Sequence, residues 1–366
     1  MKTNFLLAII SSLILIKFIF NSPKLTTNSL LFFSDYSQLL ALIVGIAVML
    51  FIIYFLNFLE NELLISFIFL VIIVLLIALV TNFLGSEEYG STRRIYLTDT
   101  FSIQPSELIK LPIILLSSIA FNKFYGNQIR LIPILLLIFS TTIILIQLQP
   151  DTSTALLFSI FFGLTIYFCG TSYRTLIAML LGVIALLPLM FSLIVYEYQF
   201  ARLSTFVNTN ADPLGNAYII TLVKEAIGSS GMIGPGLINK SNSILLNVLA
   251  ADSDFALAVI IEQLGFVFVI IIVIAFIAIL WIGTSIALKS TNRFNYLSSL
   301  LATYFIVLQG ILHVMVNLAI MPTTGTTLPF ISNGSNSLVI NLALIGIIIG
   351  VDRKNKITER NKTLNQ

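Results

Sequence analysis

Glu107, Asp151, Asp212, Glu225, Asp252, Asp254 and Glu262 are the side chains here best suited to chemistry. Only 10% of the chain is Asp, Glu, Lys or Arg, yet these acids gather in clusters at the ends of long apolar runs. A carboxylate partly shielded from water can take a proton from a hydroxyl nucleophile. Arg94, Lys110, Arg202, Lys224 and Lys240 are cations that accompany them. Other chemistries are excluded or left without support. One histidine, His313, cannot build a His-based metal site or a Ser-His-Asp triad, and one cysteine, Cys169, cannot form an internal disulfide. No Walker A or G-x-G-x-x-G sequence occurs, and nothing points to nucleic acid.

The elements that must position these groups are membrane spans. With 366 residues and 58% hydrophobic content, the chain has too little polar surface for a soluble domain. A helix needs about 20 apolar residues to cross the hydrocarbon core. On that scale ten spans are expected: Phe5 to Phe20, Leu39 to Phe58, Leu63 to Leu84, Leu108 to Phe121, Leu131 to Leu148, Thr154 to Cys169, Thr175 to Tyr196, Phe255 to Ile282, Leu297 to Met321 and Ser337 to Val351. The first reads as a retained anchor, because no small-x-small cleavage site follows it. The fold class is thus an all-α polytopic membrane protein, one domain over residues 1–366.

Lys and Arg orient the spans. Lys2, Lys123, Arg130, Arg174, Lys289, Arg293 and the basic tail 352–366 fall on one side, which makes both termini cytoplasmic. The acid clusters then face outward, together with one large extracytoplasmic loop, residues 197–253, between the seventh and eighth spans. A connection of that length is usually functional. Its apolar stretch Tyr218 to Val223 suggests a partly helical segment folded back on the membrane.

Four polar islands interrupt the apolar background: Arg94 leading to Gln104-Pro105-Ser106-Glu107-Leu108-Ile109-Lys110; Gln149-Pro150-Asp151; Asp252-Ser253-Asp254-Phe255 with Glu262; and Pro322 to Gly334. All lie at outer ends of spans, so they can converge on one external site. Each also has a plain structural reading. Ser106 and Asp151 suit helix N-caps, and Glu107 suits the positive end of a helix. Lys110 lies one turn from Glu107 on the same face, as a charged pair lining a polar cavity would. Glu262 sits about 12 Å deeper than Asp254 along an unbroken helix, so the two read as the wall of a cleft. Pro322 to Gly334 reads as a re-entrant segment, Lys17 as snorkelling to the interface, and His313 as a satisfied interhelical donor.

In order and spacing these islands resemble the SEDS family, the FtsW, RodA and SpoVE proteins of bacterial division, elongation and sporulation. The resemblance runs from about Gly90 to the last span. It rests on Arg94, Gln104-Pro105-Ser106-Glu107-Leu108 with Lys110, Gln149-Pro150-Asp151, Arg202, Asp212-Pro213, Ala226-Ile227-Gly228-Ser229, Asp254-Phe255 with Glu262 and Leu264-Gly265, and Leu328-Pro329-Phe330-Ile331-Ser332. The chain departs from the family pattern at Ile95, Gln263, His313 and Asn333-Gly334-Ser335-Asn336-Ser337. The resemblance implies a peptidoglycan glycosyltransferase that polymerises lipid II on the outer face of the cytoplasmic membrane, with Asp254 as its essential aspartate. It implies substrate or pyrophosphate contacts among Arg94, Glu107, Lys110, Asp151, Arg202, Lys224, Lys240, Glu262 and Ser332. A divalent cation, Mg or Mn, could assist, and the expected partner is a class B penicillin-binding protein transpeptidase. A lipid II flippase and a catalytically silent scaffold of a cell-wall synthase are the competing readings.

Overall fold

The computed structural model describes residues 2–20, 36–81, 93–98, 101–177, 206, 218–236, 244–245, 251–323 and 325–364. Arg202, Asp212 and Lys240, most of the expected seventh span and most of the long loop lie outside the described residues.

Helices dominate. They are α1 (Lys2–Phe20), α2 (Tyr36–Phe55), α3 (Glu62–Val80), α4 (Pro105–Leu108), α5 (Lys110–Lys123), α6 (Gln128–Leu148), α7 (Thr152–Phe168), α8 (Tyr218–Ser230), α9 (Ala251–Asp254), α10 (Ala256–Leu264), α11 (Val267–Leu288), α12 (Arg293–Asn317) and α13 (Ser335–Leu364). Six of these are long and apolar enough to cross a membrane: α2 from Ser37, α3, α6, α11, α12 and α13. Two strands, β1 (Ile95–Thr98) and β2 (Phe101–Ile103), pair antiparallel, with Ile95 opposite Ile103. The all-α expectation therefore missed a hairpin. Four and three residues are too few to show the period-two pattern that betrays a strand.

The core is a helix bundle. On α12 and α13 most of the hydrophobic face is buried, including Leu297, Leu301, Phe305, Leu342, Ile345 and Ile348, whereas α3 and α6 leave Phe67, Leu70, Leu136 and Leu137 exposed. Inner helices wrapped by a ring with bare apolar faces is the arrangement lipid permits, since acyl chains cover those faces as well as protein does. Phe139, Phe161 and Phe305 interlock at the centre, with Phe161 and Phe305 edge-to-face at 4.8 Å.

Two expectations change. The single span Phe255 to Ile282 is two helices, α10 and α11, broken at Gly265. Gly265 has φ 83° and ψ 175°, a region open essentially to glycine alone. A Cβ there would meet the Met232 carbonyl oxygen at 2.3 Å. The break admits the segment 231–236 as a partner: Phe266 N donates to Gly231 O at 3.1 Å, Val267 N to Met232 O at 3.2 Å, and Gly236 N to Gln263 O at 2.8 Å. Lys17 does not snorkel. It is 1% exposed, and its Nζ donates to Gln38 Oε1 at 2.7 Å. The basic tail is helical through Leu364 as a continuation of α13, held by Lys354 on Glu60 at 2.8 Å and by Asn355 Nδ2 on Ile286 O at 3.0 Å.

Candidate active site

Asp254 ends the short helix α9, and Phe255 breaks the chain before α10 begins. Burial pushes its carboxyl up to about 6. A hydrogen bond from Ser253 and the nearby charges of Arg94 and Arg93 pull the other way, and Asp151 adds to the rise. A carboxylate with that affinity for protons is a far better base than an exposed aspartate near 4. It still ionises at neutral pH.

Two arginines flank it, and they do different things. Arg93 docks on the Gln149-Pro150-Asp151 turn, where its Nε donates to Gln149 O at 3.3 Å and its Nη2 to Pro150 O. Arg94, directly before β1, is exposed. The hairpin that carries both is fastened to the start of α13 by Asn336 Nδ2, which donates to Ser102 O at 2.9 Å. Sequence reasoning singled out Arg94 and passed over Arg93, whose neighbour matched the family motif. Only the fold reveals that the 93 side chain is the one anchored to the Pro-Asp turn.

The segment 322–334 forms the other wall. A Cβ on Gly325 would sit 3.5 Å from Asp254 Oδ2 and 4.0 Å from Arg93 Nη1, so this wall borders both the carboxylate and the guanidinium. Ser332 ties this wall to the segment that carries Asp254. Its Oγ donates to Ser253 O at 2.7 Å and accepts from Leu328 N at 2.8 Å.

Other expected site residues are placed as follows. Lys110 is 1% exposed and pairs with Glu107 at 2.5 Å. It also donates to Gln309 Oε1 at 3.2 Å and stands 5.3 Å over the Phe305 ring. Gln309 in turn donates to Thr327 O at 3.0 Å, so the ion pair braces the 322–334 wall from beneath. Ser106 is not the N-cap of α4; that position is Gln104, with Pro105 in the first turn, and Ser106 Oγ accepts from Gln104 Nε2 at 3.1 Å. Asp151 does cap α7, accepting from Thr154 N at 3.2 Å and Thr154 Oγ1 at 2.9 Å. Glu262 does not line a cleft beneath Asp254. Its carboxylate accepts from the backbone amides of Ile244 at 2.6 Å and Leu245 at 3.4 Å, holding the end of the long loop against α10. Lys224 lies on the exposed face of α8, whose opposite face packs Val223 and Ala226 against Phe255, Ala258 and Val259.

Two residues of α12 were read only as structural or not at all. His313 Nδ1 lies 2.7 Å from Thr326 O, and Asn317 Nδ2 donates to Asp254 O at 3.0 Å. The signal was present in the sequence: two polar residues four apart, on one face of an apolar helix.

A divalent ion held by protein alone would need several convergent ligands. Among the described residues no three His, Cys, Asp or Glu side chains cluster, and Asp151 is committed to its cap. Among the described residues the donor set does not fit a protein-held metal.

Fold and site together define a polytopic helical membrane protein built around one shielded carboxylate between basic and hydroxyl-bearing walls. The chain belongs to the FtsW/RodA/SpoVE family of cell cycle proteins, whose model matches residues 1–357. A probable peptidoglycan glycosyltransferase FtsW of Borreliella burgdorferi is 32% identical over 302 residues, covering 81% of this chain and 80% of that protein. The peptidoglycan glycosyltransferase MrdB of Escherichia coli K12 is 26% identical over 301 residues, covering 80% and 79%. A chain solved in work on coordination of polymerization and crosslinking by a peptidoglycan synthase complex shares the fold, with TM-score 0.77 and 23% identity over 96% of this chain and 97% of that one.

Proposed function

We propose that this protein is a peptidoglycan glycosyltransferase that polymerises lipid II, with Asp254 as the general base. The observation that carries the reading is the environment of Asp254: a carboxyl raised to about 6, under the charges of Arg93 and Arg94 and bordered by Gly325. Its relatives' names, FtsW and MrdB glycosyltransferases, supply the reaction class.

The chemistry balances on these residues. A hydroxyl of the acceptor sugar gives its proton to Asp254 as its oxygen attacks the anomeric carbon of the donor. The C–O bond to the lipid pyrophosphate breaks, and that leaving group departs with the electron pair. The charge it develops requires cations. Arg94 is an exposed guanidinium whose charge reaches Asp254, Arg93 acts from its anchored position, and Lys224, Arg202 and Lys240 are further candidates from the sequence. One carboxylate and no covalent step invert the anomeric centre, which converts an α-linked donor into a β-linked glycan. Glu107 and Lys110 serve by bracing the wall, Ser332 by holding Ser253, Glu262 by holding the loop, and Asp151 by its charge and cap.

We place the site at the outer face of the cytoplasmic membrane, with ten spans and both termini inside, from the distribution of Lys and Arg. A class B penicillin-binding protein is the partner we expect, since the strand made here needs crosslinking. Reconstituted protein given lipid II should yield a ladder of glycan products. Lipid translocation without any polymer would instead support a flippase.

A further inference from the structure

We propose that His313 and Asn317 form a positioning unit that registers the Asp254 segment against the Gly325 segment, and so sets the distance at which the base meets its substrate. The inference rests on the reading of Asp254 as the base.

The two side chains lie one turn apart on α12, both buried, 1% and 0% exposed. The hydrogen-bond pattern fixes their chemistry. Thr326 O can only accept, so His313 Nδ1, 2.7 Å away, carries the proton. His313 Nε2 is then a lone pair, and it accepts from Asn317 Nδ2 at 3.1 Å. Asn317 Nδ2 also donates to Asp254 O at 3.0 Å and lies 3.0 Å from His313 O, while its Oδ1 accepts from Ala258 N at 2.9 Å. Asn317 thus grips both sides of the break between α9 and α10: the last carbonyl before it and an amide in the first turn after it. His313 grips Thr326, next to the Gly325 that faces the Asp254 carboxylate. Both walls of the site therefore hang from one turn of one helix. A neutral imidazole with this tautomer is the only form that fits, because a second N–H would point at the Asn317 amide hydrogens.

Packing alone does not require the arrangement. An apolar pair at these positions would leave the Asp254 carbonyl, the Ala258 amide and the Thr326 carbonyl without these partners, and the break without a template. Neither residue reaches the carboxylate itself, so neither is catalytic. A displacement near 1 Å in such a site costs on the order of a hundredfold in rate, which makes a positioning role visible in kcat.

The test uses full-length protein in the lipid II polymerisation assay, with Asn317→Ala, His313→Leu, the double variant and His313→Asn. The first two should lower kcat tenfold or more with little change in KM. The double variant should be no worse than the poorer single one, because the pair acts as a unit. His313→Asn keeps a donor for Thr326 and should recover much of the lost rate. The acid limb of the pH–rate profile should move to lower pH in Asn317→Ala, as a loosened Asp254 meets water. Arg93, Arg94 and Asp151, the other charges acting on that carboxyl, are untouched by the change. Wild-type kcat and an unmoved acid limb in folded Asn317→Ala would overturn the proposal. So would equal loss in His313→Asn and His313→Leu. If Asp254→Asn itself retains full activity, the failure lies with the base assignment and not with the pair.

Discussion

Ser332 Oγ donates to the Ser253 carbonyl at 2.7 Å while accepting from Leu328 N at 2.8 Å. One hydroxyl thus locks the Pro-rich wall and fixes the residue before Asp254. Ser332→Ala removes the hydroxyl that pairs the Leu328 amide and the Ser253 carbonyl, a cost of about 1–3 kcal/mol. We expect a lower melting temperature and polymerisation reduced about tenfold, with Ser332→Thr closer to wild type. Differential scanning fluorimetry and the polymerisation assay on the same preparations check this.

The pH dependence follows from burial of Asp254. As a base it must be ionised, so below about 6 activity should fall roughly tenfold per pH unit. Stability runs the other way. The folded carboxyl lies above its ordinary value of 3.8, so the folded state holds a proton that the unfolded chain gives up. That favours folding at low pH, and the advantage is lost as pH rises through about 6. Asp254→Asn, neutral throughout, should therefore melt higher than wild type at pH 7.5, and the gap should shrink as pH falls toward 4. Paired melting curves at these pH values measure it.

How much of this was readable in advance depended on the range of the interaction. The apolar runs gave α2, α3, α6 and α12 with ends off by a few residues, and the start of α13, because lipid-scale hydropathy is a local property; the polar end of α13 carries no such signal. The cap at Asp151 was local too, three residues in reach. Asp254 came through family spacing. What stayed hidden were contacts made at a distance. Glu262 looks like a second acid on an unbroken helix, until the Gly265 break and the returning chain at Ile244 give its carboxylate two backbone amides. Lys110 looks like a phosphate ligand until Gln309, on another helix, takes a second of its donors beside Glu107. Arg93 and Asn317 acquire roles only when the Pro150 turn and the α9 carbonyl arrive beside them.

The Glu107–Lys110 pair predicts an asymmetry. Removing one partner strands a buried charge, which costs about 3–5 kcal/mol, whereas removing both can be nearly neutral. Glu107→Gln and Lys110→Met should each reduce folded yield and melting temperature sharply, and the double substitution should regain most of that loss. Size-exclusion profiles and thermal melts of the three variants decide it.

At Gly265, alanine combines a disfavoured φ of 83° with a Cβ driven into Met232 O. Gly265→Ala should detach residues 231–236 from the α10–α11 break. Hydrogen exchange should then lose protection at Phe266 and Val267, whose amides bond there now.

The central claim is that one side chain takes the proton. The direct measurement is the rate of glycan formation from lipid II by purified, lipid-reconstituted protein carrying Asp254→Asn, compared with wild type at pH 7.5. The account predicts a folded variant, at least as stable as wild type, whose polymerisation falls by on the order of a thousandfold or more, toward the assay background. A folded Asp254→Asn that elongates glycan strands within a few-fold of the wild-type rate would contradict it.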